Sequence, residues 1–588
     1  MNKKKQTLKE NFIEAFKKYK NHDFKNAEQS CYKILSIDPN HFDSISLLAT
    51  ISFSKQDFNK AKELMLQAIE IKPNDLSALN NLGTTYRELR EAKEAINVYK
   101  KVLEINPNHT KANYNIGLAF YDLRELKLAK TYLQKTVQIQ NNFGLAFFSL
   151  ANVLVDLKEF KEALSCYQKT IELNPNIVSA HNNLGLLYRD MNDFDKAMNC
   201  YKKTIEIKPD HYSAHHNLGI IYKELGQFEK SIKSHENAVK YEPHNLMNYH
   251  FLSELKKEML TPDLKTKINK ILEDKKTKKS NLAYGNFLLS KYERKNKNHE
   301  KEFTHLIKGH ENFYNSNKIK FDHGNKFVFD DIHQINQGAK VIKSNKKNQL
   351  NARPIFIIGV PRCGSTLVEK IIASGKKIIP IGEETGIIGH YIPSKVLEKQ
   401  SLNLGDVNEI RKELLKVYKG RGLISEKHEN IFTDKSLDNF FYLELIKEIF
   451  PNSKIINCKR NTLASIVSVF QNNLTKLSWT HDIKNIFKYF DNYFEIINNY
   501  NEFHTNQIYE VELEKLTNNP EYESKKLMEY CELPWDKKCL EFYKRKDLFS
   551  KTASNIQIRE AIFKQSHDKY SPYKKLLSKY GEKYSWFN

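Results

Sequence analysis

Cysteine is scarce and scattered in this chain. The 588 residues include seven cysteines, an odd number at wide spacing, with no Cys-x-x-Cys pair. That arrangement argues against a disulfide framework and against a zinc site, so we expect no metal cofactor. It suits a reducing compartment, and we therefore expect a cytoplasmic protein.

Long apolar runs are missing as well. No run approaches the roughly 20 apolar residues that a transmembrane helix needs, so we expect no transmembrane segment. The basic residues Lys3, Lys4 and Lys5 are not followed by the apolar stretch of a signal peptide. The formal net charge is +23, which favours anionic partners. No block of Lys and Arg is interleaved with aromatic residues, however, so we expect no nucleic-acid partner.

Internal repetition dominates the N-terminal half. Small residues and prolines recur at multiples of 34 residues. The positions are Pro39, Pro73, Pro107, Pro175, Pro209 and Pro243, then Gly83, Gly117, Gly185 and Gly219, then Ala95, Ala129, Ala163 and Ala197. The pattern resembles the tetratricopeptide repeat, a pair of antiparallel helices. We predict about seven repeats over residues 8–258, stacked into an α superhelix whose concave face binds extended peptides.

An asparagine recurs at one position of the first helix of several repeats. The residues are Asn81, Asn115, Asn183 and Asn217. Some tetratricopeptide proteins, including the repeat-bearing protein glycosyltransferases, hold substrate peptides on such a ladder. An amide can donate to and accept from a peptide backbone at once, so a protein or peptide acceptor is one interpretation. The alternative is a hydrogen bond to a neighbouring helix.

The period is lost after the repeats. Residues 259–350 are predicted to form a helical cap and a linker, with helices near 282–289 and 302–307. A hydrophilic stretch rich in Lys and Asn ends this segment. We place the start of the next domain at residue 351.

A strand, a short loop and a helix then follow one another. Ile355–Val360 is an apolar run typical of a buried parallel strand, and Thr366–Ala373 has helical periodicity. Such a turn binds phosphate, because backbone N–H groups and the helix dipole face the anion. Gly359 and Gly364 have Walker A spacing, but the Walker lysine is absent and the loop cation is Arg362. This pattern favours a fixed grip on a nucleotide phosphate over triphosphate cleavage.

Two motifs carry a family resemblance. Gly-Val-Pro-Arg-Cys-Gly-Ser-Thr-Leu at 359–367 and Gly-Glu-Glu-Thr at 382–385 resemble the tyrosylprotein sulfotransferases and related bacterial sulfotransferases. The resemblance implies a three-layer α/β P-loop-like domain with a central parallel sheet over residues 351–588. It also implies transfer of a sulfuryl group from 3′-phosphoadenosine-5′-phosphosulfate (PAPS) to an acceptor hydroxyl. The loop residues implied to bind PAPS are Arg362, Cys363, Gly364, Ser365 and Thr366. A Gly-rich turn in another α/β enzyme is the alternative.

The same resemblance assigns the catalytic groups. Glu384 matches the family's general base, although it or Glu383 could instead cap a helix starting near Thr385. Lys435 matches the lysine that stabilises the leaving oxygen. Gly386 replaces the family's arginine beside the acceptor, which weakens the expectation of an acidic tyrosine peptide.

The remaining donor contacts lie further along the chain. Arg460, after a second parallel strand, and Ser468 match the residues that hold the donor's 3′-phosphate, with Ser465 as the fallback. Near the C-terminus, Ser554 or its rival Thr552 matches the transition-state serine. Arg559 is the implied contact to the 3′-phosphate.

Together these features predict a PAPS-dependent sulfotransferase that acts on a protein or peptide presented by the repeats. Two alternatives stay open. One is a carbohydrate or small-molecule sulfotransferase whose repeats serve assembly, and the other is a non-catalytic repeat scaffold.

Overall fold

The structure, a computed structural model, describes residues 2–342, 352–424, 430–545, 559–562 and 568–587. The chain divides into two compact units, Met1–Pro209 and Asp210–Asn588. The described residues of the first unit are helix pairs, and those of the second combine helices with a parallel sheet. The predicted order of a helical array followed by an α/β domain is therefore confirmed.

The first unit consists of regularly spaced helices. Their bounds are α1 Asn2–Lys20, α2 Phe24–Leu35, α3 Phe42–Ser54, α4 Phe58–Ile71, α5 Leu76–Glu88, α6 Ala92–Ile105, α7 Thr110–Asp122, α8 Leu126–Ile139, α9 Gly144–Asp156, α10 Phe160–Leu173, α11 Val178–Asp190 and α12 Phe194–Ile207.

The recurring glycines explain how closely the two helices of a pair can pack. A Cβ on Gly83 of α5 would lie only 2.5 Å from a ring carbon of Tyr99 on α6. Gly185 of α11 stands in the same relation to Tyr201 on α12, at 2.6 Å. Glycine therefore makes room for a large buried side chain from the partner helix, which increases the apolar area removed from water.

The second unit opens with one more helix pair and a group of packed helices. Their bounds are α13 Tyr212–Glu224, α14 Phe228–Tyr241, α15 Leu246–Leu255, α16 Pro262–Glu273, α17 Lys279–Lys295, α18 His299–Ser316, α19 Lys318–Lys326 and α20 Ile332–Gly338. A π-helical turn, Phe327–Asp331, joins the last two.

Strands and helices then alternate in the rest of the second unit. Their bounds are β1 Lys340–Ile342, β2 Ala352–Gly359, α21 Ser365–Ala373, α22 Ile387–Lys399, β3 Asn403–Asp406, α23 Val407–Gly420, β4 Asn430–Asp434, α24 Leu443–Ile449, β5 Lys454–Lys459, α25 Thr462–Phe470, α26 Ile483–Phe503, β6 Ile508–Glu512, α27 Leu513–Asn518, α28 Pro520–Tyr530 and α29 Ser571–Gly581. Short 3₁₀ turns are Lys257–Met259, Leu437–Tyr442, Ser478–His481, Lys537–Cys539, Phe542–Lys544 and Asp568–Tyr570.

The main sheet is parallel throughout its described strands, in the order β4-β2-β5-β6. Strands β1 and β3 form a separate parallel pair. The central strand β2 is fully buried from Ile355 to Ile358, as its unbroken apolar run predicts.

The predicted cap helices share this unit with the sheet. Glu302 on α18 is fully buried and accepts hydrogen bonds from Gln471 at 2.9 Å and from the Tyr573 hydroxyl at 2.6 Å. Arg294 on α17 pairs with the same carboxylate at 2.6 Å. A buried carboxylate with these three partners fixes α17 and α18 to the segments that carry Gln471 and Tyr573.

Candidate active site

The strand order locates the site. The chain runs from β2 outward to β4 and then crosses β2 to continue with β5 and β6. The order therefore reverses between β2 and β5, and ligands bind at the carboxyl ends of strands at such a switch point. The loops after β2, β4 and β5 carry Arg362, Lys435 and Arg460, so the topology brings together three residues that the sequence marked separately.

The loop after β2 is tightly curved. Arg362 adopts φ +72° and Gly364 φ +95°, both in the left-handed region. A Cβ on Gly364 would lie 2.7 Å from Leu513, so the close approach of α27 also requires glycine there. Gly364 is the N-cap of α21 and supplies no side-chain cap, so the first N–H groups of the helix face the loop, where Ser365 and Thr366 begin α21.

Two arginines and a serine meet beside this loop. Arg362 Nε donates to Ser468 Oγ at 3.0 Å, and Arg460 Nη1 donates to the Arg362 carbonyl oxygen at 3.1 Å. Arg460 Nη2 donates to the Tyr570 hydroxyl at 3.2 Å. Burial, and then the charge of Arg460, lower the pKa of Arg362 to about 10. Two guanidinium groups in such proximity repel each other, and an anion bound between them would relieve that cost.

Lys435 occupies the end of β4 and is almost fully buried. Its ammonium nitrogen lies 3.5 Å from Glu383 Oε1, 3.7 Å from Glu384 Oε1 and 3.5 Å from Thr366 Oγ1. Burial acts to lower the pKa of Lys435, but the charges of Glu383, Glu384 and Glu369 outweigh it and raise that pKa. Lys435 is therefore held as a cation beside the N-terminus of α21.

The two consecutive glutamates differ in exposure. The side chain of Glu383 is 3% exposed and that of Glu384 is 52% exposed. A backbone bridge fixes both, since Glu384 N donates to Lys435 O and Lys435 N donates to Gly382 O, each at 2.9 Å. Glu383 thus acts as an internal counter-ion, whereas Glu384 is open to solvent and to an acceptor.

Helix capping does not explain either glutamate. Helix α22 begins at Ile387, with Gly386 as its N-cap and no side-chain cap. Gly386 takes φ +58°, and a Cβ there would meet no described atom within 4 Å. The position where the family has an arginine is therefore open space in this part of the structure.

A set of buried polar residues behind the site was not found from the sequence. Thr433 Oγ1 donates to Glu369 Oε1 at 2.8 Å and accepts from Gly382 N at 3.0 Å. Burial raises the pKa of Glu369 to about 7. The Glu-Lys pair at 369–370 within an apolar helix was the available signal, because charged residues rarely enter such a face unless paired.

A second buried set holds the turn after Glu384. Asp434 Oδ1 accepts from Ser436 Oγ at 2.6 Å, and Asp434 Oδ2 accepts from the Tyr418 hydroxyl at 2.6 Å. Ser436 Oγ in turn accepts from Gly386 N at 2.9 Å. Burial raises the pKa of Asp434.

Cys363 contributes to the loop through its backbone. Its side chain is buried, and its Sγ lies 2.9 Å from where a Cβ on Gly359 would be. Cys458, opposite Gly359 in the β2–β5 pair, is also buried, and burial holds the pKa of its thiol well above the ordinary value. The cysteine therefore replaces the usual loop serine without placing a polar group toward a ligand.

Four further positions marked by the sequence remain, and the structure describes two of them. Arg559 Nη2 donates to the Glu224 carbonyl oxygen at 2.9 Å, so it contacts the end of α13. Ser554 and its rival Thr552 lie outside the described residues. Ser465 is fully buried on α25, one turn before Ser468.

Two of the four recurring asparagines contact neighbouring repeats. Asn115 Nδ2 donates to Asn80 Oδ1 at 3.1 Å, and Asn183 Nδ2 donates to Asn152 Oδ1 at 3.1 Å. Asn81 is half-buried and Asn217 is buried. The described contacts of Asn115 and Asn183 therefore match the interhelical alternative, in which the amides join successive first helices.

The described residues contain neither a candidate metal cluster nor a helix suited to span a membrane. No group of three or more His, Cys, Asp or Glu side chains in the described ranges could hold a metal ion. None of the helices described here is both long and apolar enough to cross a membrane.

Comparisons with known proteins agree with this architecture. Residues 354–537 match the model of the sulfotransferase family. Tetratricopeptide-repeat models match residues 85–123, 110–143, 151–191, 178–211 and 200–233, and a model of anaphase-promoting complex subunit 3 matches 20–102. The chain therefore joins a tetratricopeptide-repeat array to a sulfotransferase-family domain.

Individual relatives match parts of the chain. An uncharacterized protein of Aquifex aeolicus (strain VF5) is 32% identical over 330 residues, which is 54% of this chain and 42% of that protein. The chain thus spans less than half the length of this relative. The crystal structure of MamA is 30% identical, with a TM-score of 0.27, over 28% of this chain and 95% of MamA. That of YrrB, a TPR protein with an unusual peptide-binding site, is 27% identical, with a TM-score of 0.29, over 32% of this chain and 98% of YrrB.

Proposed function

We propose that this protein transfers a sulfuryl group from PAPS to an acceptor hydroxyl, most directly on a protein or peptide. The observation that carries the proposal is the convergence of Arg362, Lys435, Arg460 and Ser468 at one switch point, with Glu384 exposed beside them. We also propose the domain limits 8–258 for the repeats, 259–350 for the cap and linker, and 351–588 for the transferase. Seven widely spaced free cysteines support a reducing, cytoplasmic location.

The residues fit a bisphosphorylated nucleotide. The N-terminus of α21 and Arg362 would hold the 5′-phosphosulfate, and Arg460 with Ser468 would hold the 3′-phosphate. The mutual repulsion of the two arginines favours a ligand with negative charge near both. Cys363, Gly364, Ser365 and Thr366 would contribute chiefly through the backbone of the loop.

Lys435 and Glu384 would divide the chemistry between them. PAPS supplies the sulfuryl group, and its phosphate oxygen leaves as the acceptor oxygen bonds to sulfur. Lys435 would neutralise the charge that grows on the leaving oxygen, and its carboxylate neighbours keep it protonated. Glu384 would take the proton of the acceptor hydroxyl, because it is the exposed member of the pair. Ser554, or Thr552, would add a contact to the transferring group.

The repeats support a macromolecular acceptor. A stacked helical array offers an extended surface for a protein or peptide, and it lies in the same chain as the transferase domain. The open space at Gly386 favours a different acceptor from an acidic tyrosine peptide, because no arginine stands there to pair with acidic residues. A neutral hydroxyl on a carbohydrate or small molecule is therefore the second candidate.

Transfer of label from PAPS tests the proposal. The purified chain is incubated with radiolabelled PAPS and a dialysed whole lysate, and labelled protein is separated from labelled small molecules. Label in protein that requires the chain and is reduced in Arg460→Ala supports the first candidate. Label only in carbohydrate or small molecules selects the second, and no label in any fraction contradicts the proposed activity.

A further inference from the structure

One turn position is shared by all the described helix pairs of the repeat array. After the first helix of each pair, one residue takes a left-handed φ between 60° and 74°. These residues recur every 34 positions as His22, Gln56, Arg90, Arg124, Lys158, Asn192 and Gly226. Six of them carry a side chain, so the turn itself does not require glycine. The glycine at position 226 therefore needs a separate explanation.

The side chain of Arg559 provides that explanation. A Cβ on Gly226 would lie 2.4 Å from Nε, 2.5 Å from Cζ and 2.7 Å from Cδ of Arg559. A real Cβ atom does not approach other atoms this closely, so the guanidinium group of Arg559 packs directly against the glycine backbone. Arg559 Nη2 also donates to the carbonyl oxygen of Glu224 at 2.9 Å.

The Glu224 carbonyl is a favourable acceptor for a cation. Glu224 is the last residue of α13, and the final carbonyls of a helix lack partners within it. The negative end of the helix dipole also lies there, so an arginine is stabilised at this terminus. The side chain of Arg559 is about half-buried, and burial lowers its pKa.

We propose that the α13–α14 turn of the array is a positioning site for Arg559, with Gly226 and the Glu224 carbonyl as its two parts. The functional consequence rests on the proposed function above and on the family resemblance, which implies that Arg559 contacts the 3′-phosphate of the donor. The last helix pair then serves the donor half of the transferase site, in addition to any acceptor that the array binds. Tyr570, further along the same C-terminal segment, accepts a hydrogen bond from the donor-side Arg460.

Gly226→Asn separates this role from general stability. Asparagine stands at the equivalent turn one repeat earlier, as Asn192 with φ +65°, so the backbone tolerates it. The clashing atoms are the far end of a flexible side chain, so Arg559 can move without unfolding the turn. The matched control is Lys158→Asn, the same replacement at the same turn position of another repeat.

Binding of adenosine 3′,5′-bisphosphate is measured by calorimetry for these variants and for Arg559→Ala. We expect Gly226→Asn to weaken binding by about threefold to tenfold, and Lys158→Asn to leave it unchanged. In the Arg559→Ala background, Gly226→Asn should have no further effect, because both changes remove the same contact. The proposal would be overturned if Arg559→Ala weakened binding of the bisphosphate and Gly226→Asn did not.

Thermal melting of the unmodified protein, Gly226→Asn, Arg559→Ala and the double variant gives a readout that does not depend on the donor. If the melting-temperature shifts of Gly226→Asn and Arg559→Ala are not additive in the double variant, the two residues are coupled and the positioning site is supported. Additive shifts contradict it. If the unmodified protein fails to bind the bisphosphate, the proposed function fails, while this comparison of melting temperatures still decides whether the turn holds Arg559.

Discussion

The ammonium nitrogen of Lys435 lies 3.5 Å from Glu383 Oε1, and both side chains are almost fully buried. The pair forms where the segment before α22 runs parallel to the end of β4, with Glu383 opposite Lys435. Because Glu383 already neutralises Lys435, the next residue, Glu384, is available for a different role. This division between adjacent carboxylates is the basis of the first prediction.

Replacing Glu384 by Gln should reduce sulfuryl transfer by roughly 100-fold or more while leaving the melting temperature nearly unchanged. The amide keeps the shape of the side chain but accepts no proton at neutral pH, and an exposed position contributes little to stability. Single-turnover rates and thermal melts measure the two effects.

Glu383→Gln is the matched control for that experiment. It removes the buried carboxylate charge that Lys435 and Lys370 share, so we expect an earlier melt as well as a slower reaction. A Glu384→Gln variant that reacts at the normal rate would show that another group removes the acceptor proton.

Arg460→Ala should raise the KM for PAPS more than it lowers kcat. The guanidinium is already in place in the free protein, bonded to the Arg362 carbonyl and to Tyr570, so it contributes to the ground state as well as to the transition state. Ser468→Ala should act in the same direction with a smaller effect, because it removes one neutral partner of Arg362. Initial rates over a range of PAPS concentrations measure both, and a pure loss of kcat in either variant would contradict donor binding by these residues.

The elements that form the site were predictable to within a few residues. The apolar run at 355–360 became β2, and the second parallel strand predicted before Arg460 became β5. Both patterns are local, because a buried parallel strand is apolar throughout. The helix expected near Thr385 begins at Ile387 instead, since Gly386 in a left-handed conformation ends the preceding turn.

The contacts between distant segments were not predictable in the same way. Nothing in the local sequence of Thr433 shows that it bonds Glu369, because that pairing depends on β4 lying beside β2. The contact of Arg559 with Glu224 likewise joins distant segments of the chain, and the 34-residue period does not predict it. The family resemblance predicts that Arg559 contacts the donor, whereas the described hydrogen-bond partner of Arg559 is the carbonyl oxygen at the end of α13.

Histidines buried in the second unit should make stability fall in mild acid. His235 is fully buried, and its two ring nitrogens have no hydrogen-bond partner among the described residues. Burial lowers the pKa of His235 to about 4, so the fold favours the neutral ring. The contribution of the neutral His235 ring to the stability of the fold is therefore fully present above the unfolded pKa of about 6.5. That contribution is lost as the pH falls from there toward 4.

His235→Leu tests this sign. Leucine stands at the same position three repeats earlier, as Leu133 packed on Gly117, just as His235 packs on Gly219. We expect a gain of about 1–3 kcal/mol at neutral pH from removing unpaired polar atoms, and a larger gain at pH 5. Thermal melts at both pH values measure the difference in stability between His235→Leu and the unmodified protein. An identical difference at the two pH values would show that His235 does not titrate with unfolding. His250 and His310, with pKa values also lowered by burial to about 4, leave part of the acid sensitivity in place.

Replacing Asn81, Asn115, Asn183 and Asn217 together by Ala should lower the melting temperature of the array. The Asn115 and Asn183 amides bond to the preceding repeat, so their loss removes interhelical hydrogen bonds of about 0.5–1.5 kcal/mol each. If the asparagines also hold an acceptor backbone, transfer to a protein should fall at a temperature where the variant is still folded. Transfer to a short acceptor outside the array should then be unchanged. A variant that melts normally and modifies proteins normally would rule out both roles.

Calorimetry with nucleotides decides whether the switch point binds a bisphosphorylated nucleotide. We expect the protein to bind adenosine 3′,5′-bisphosphate without Mg²⁺ and far more tightly than ATP, because Arg362 and Arg460 replace the Walker lysine and its metal ion at the switch point. Mg²⁺-dependent binding of ATP, with no binding of the bisphosphate, would contradict it.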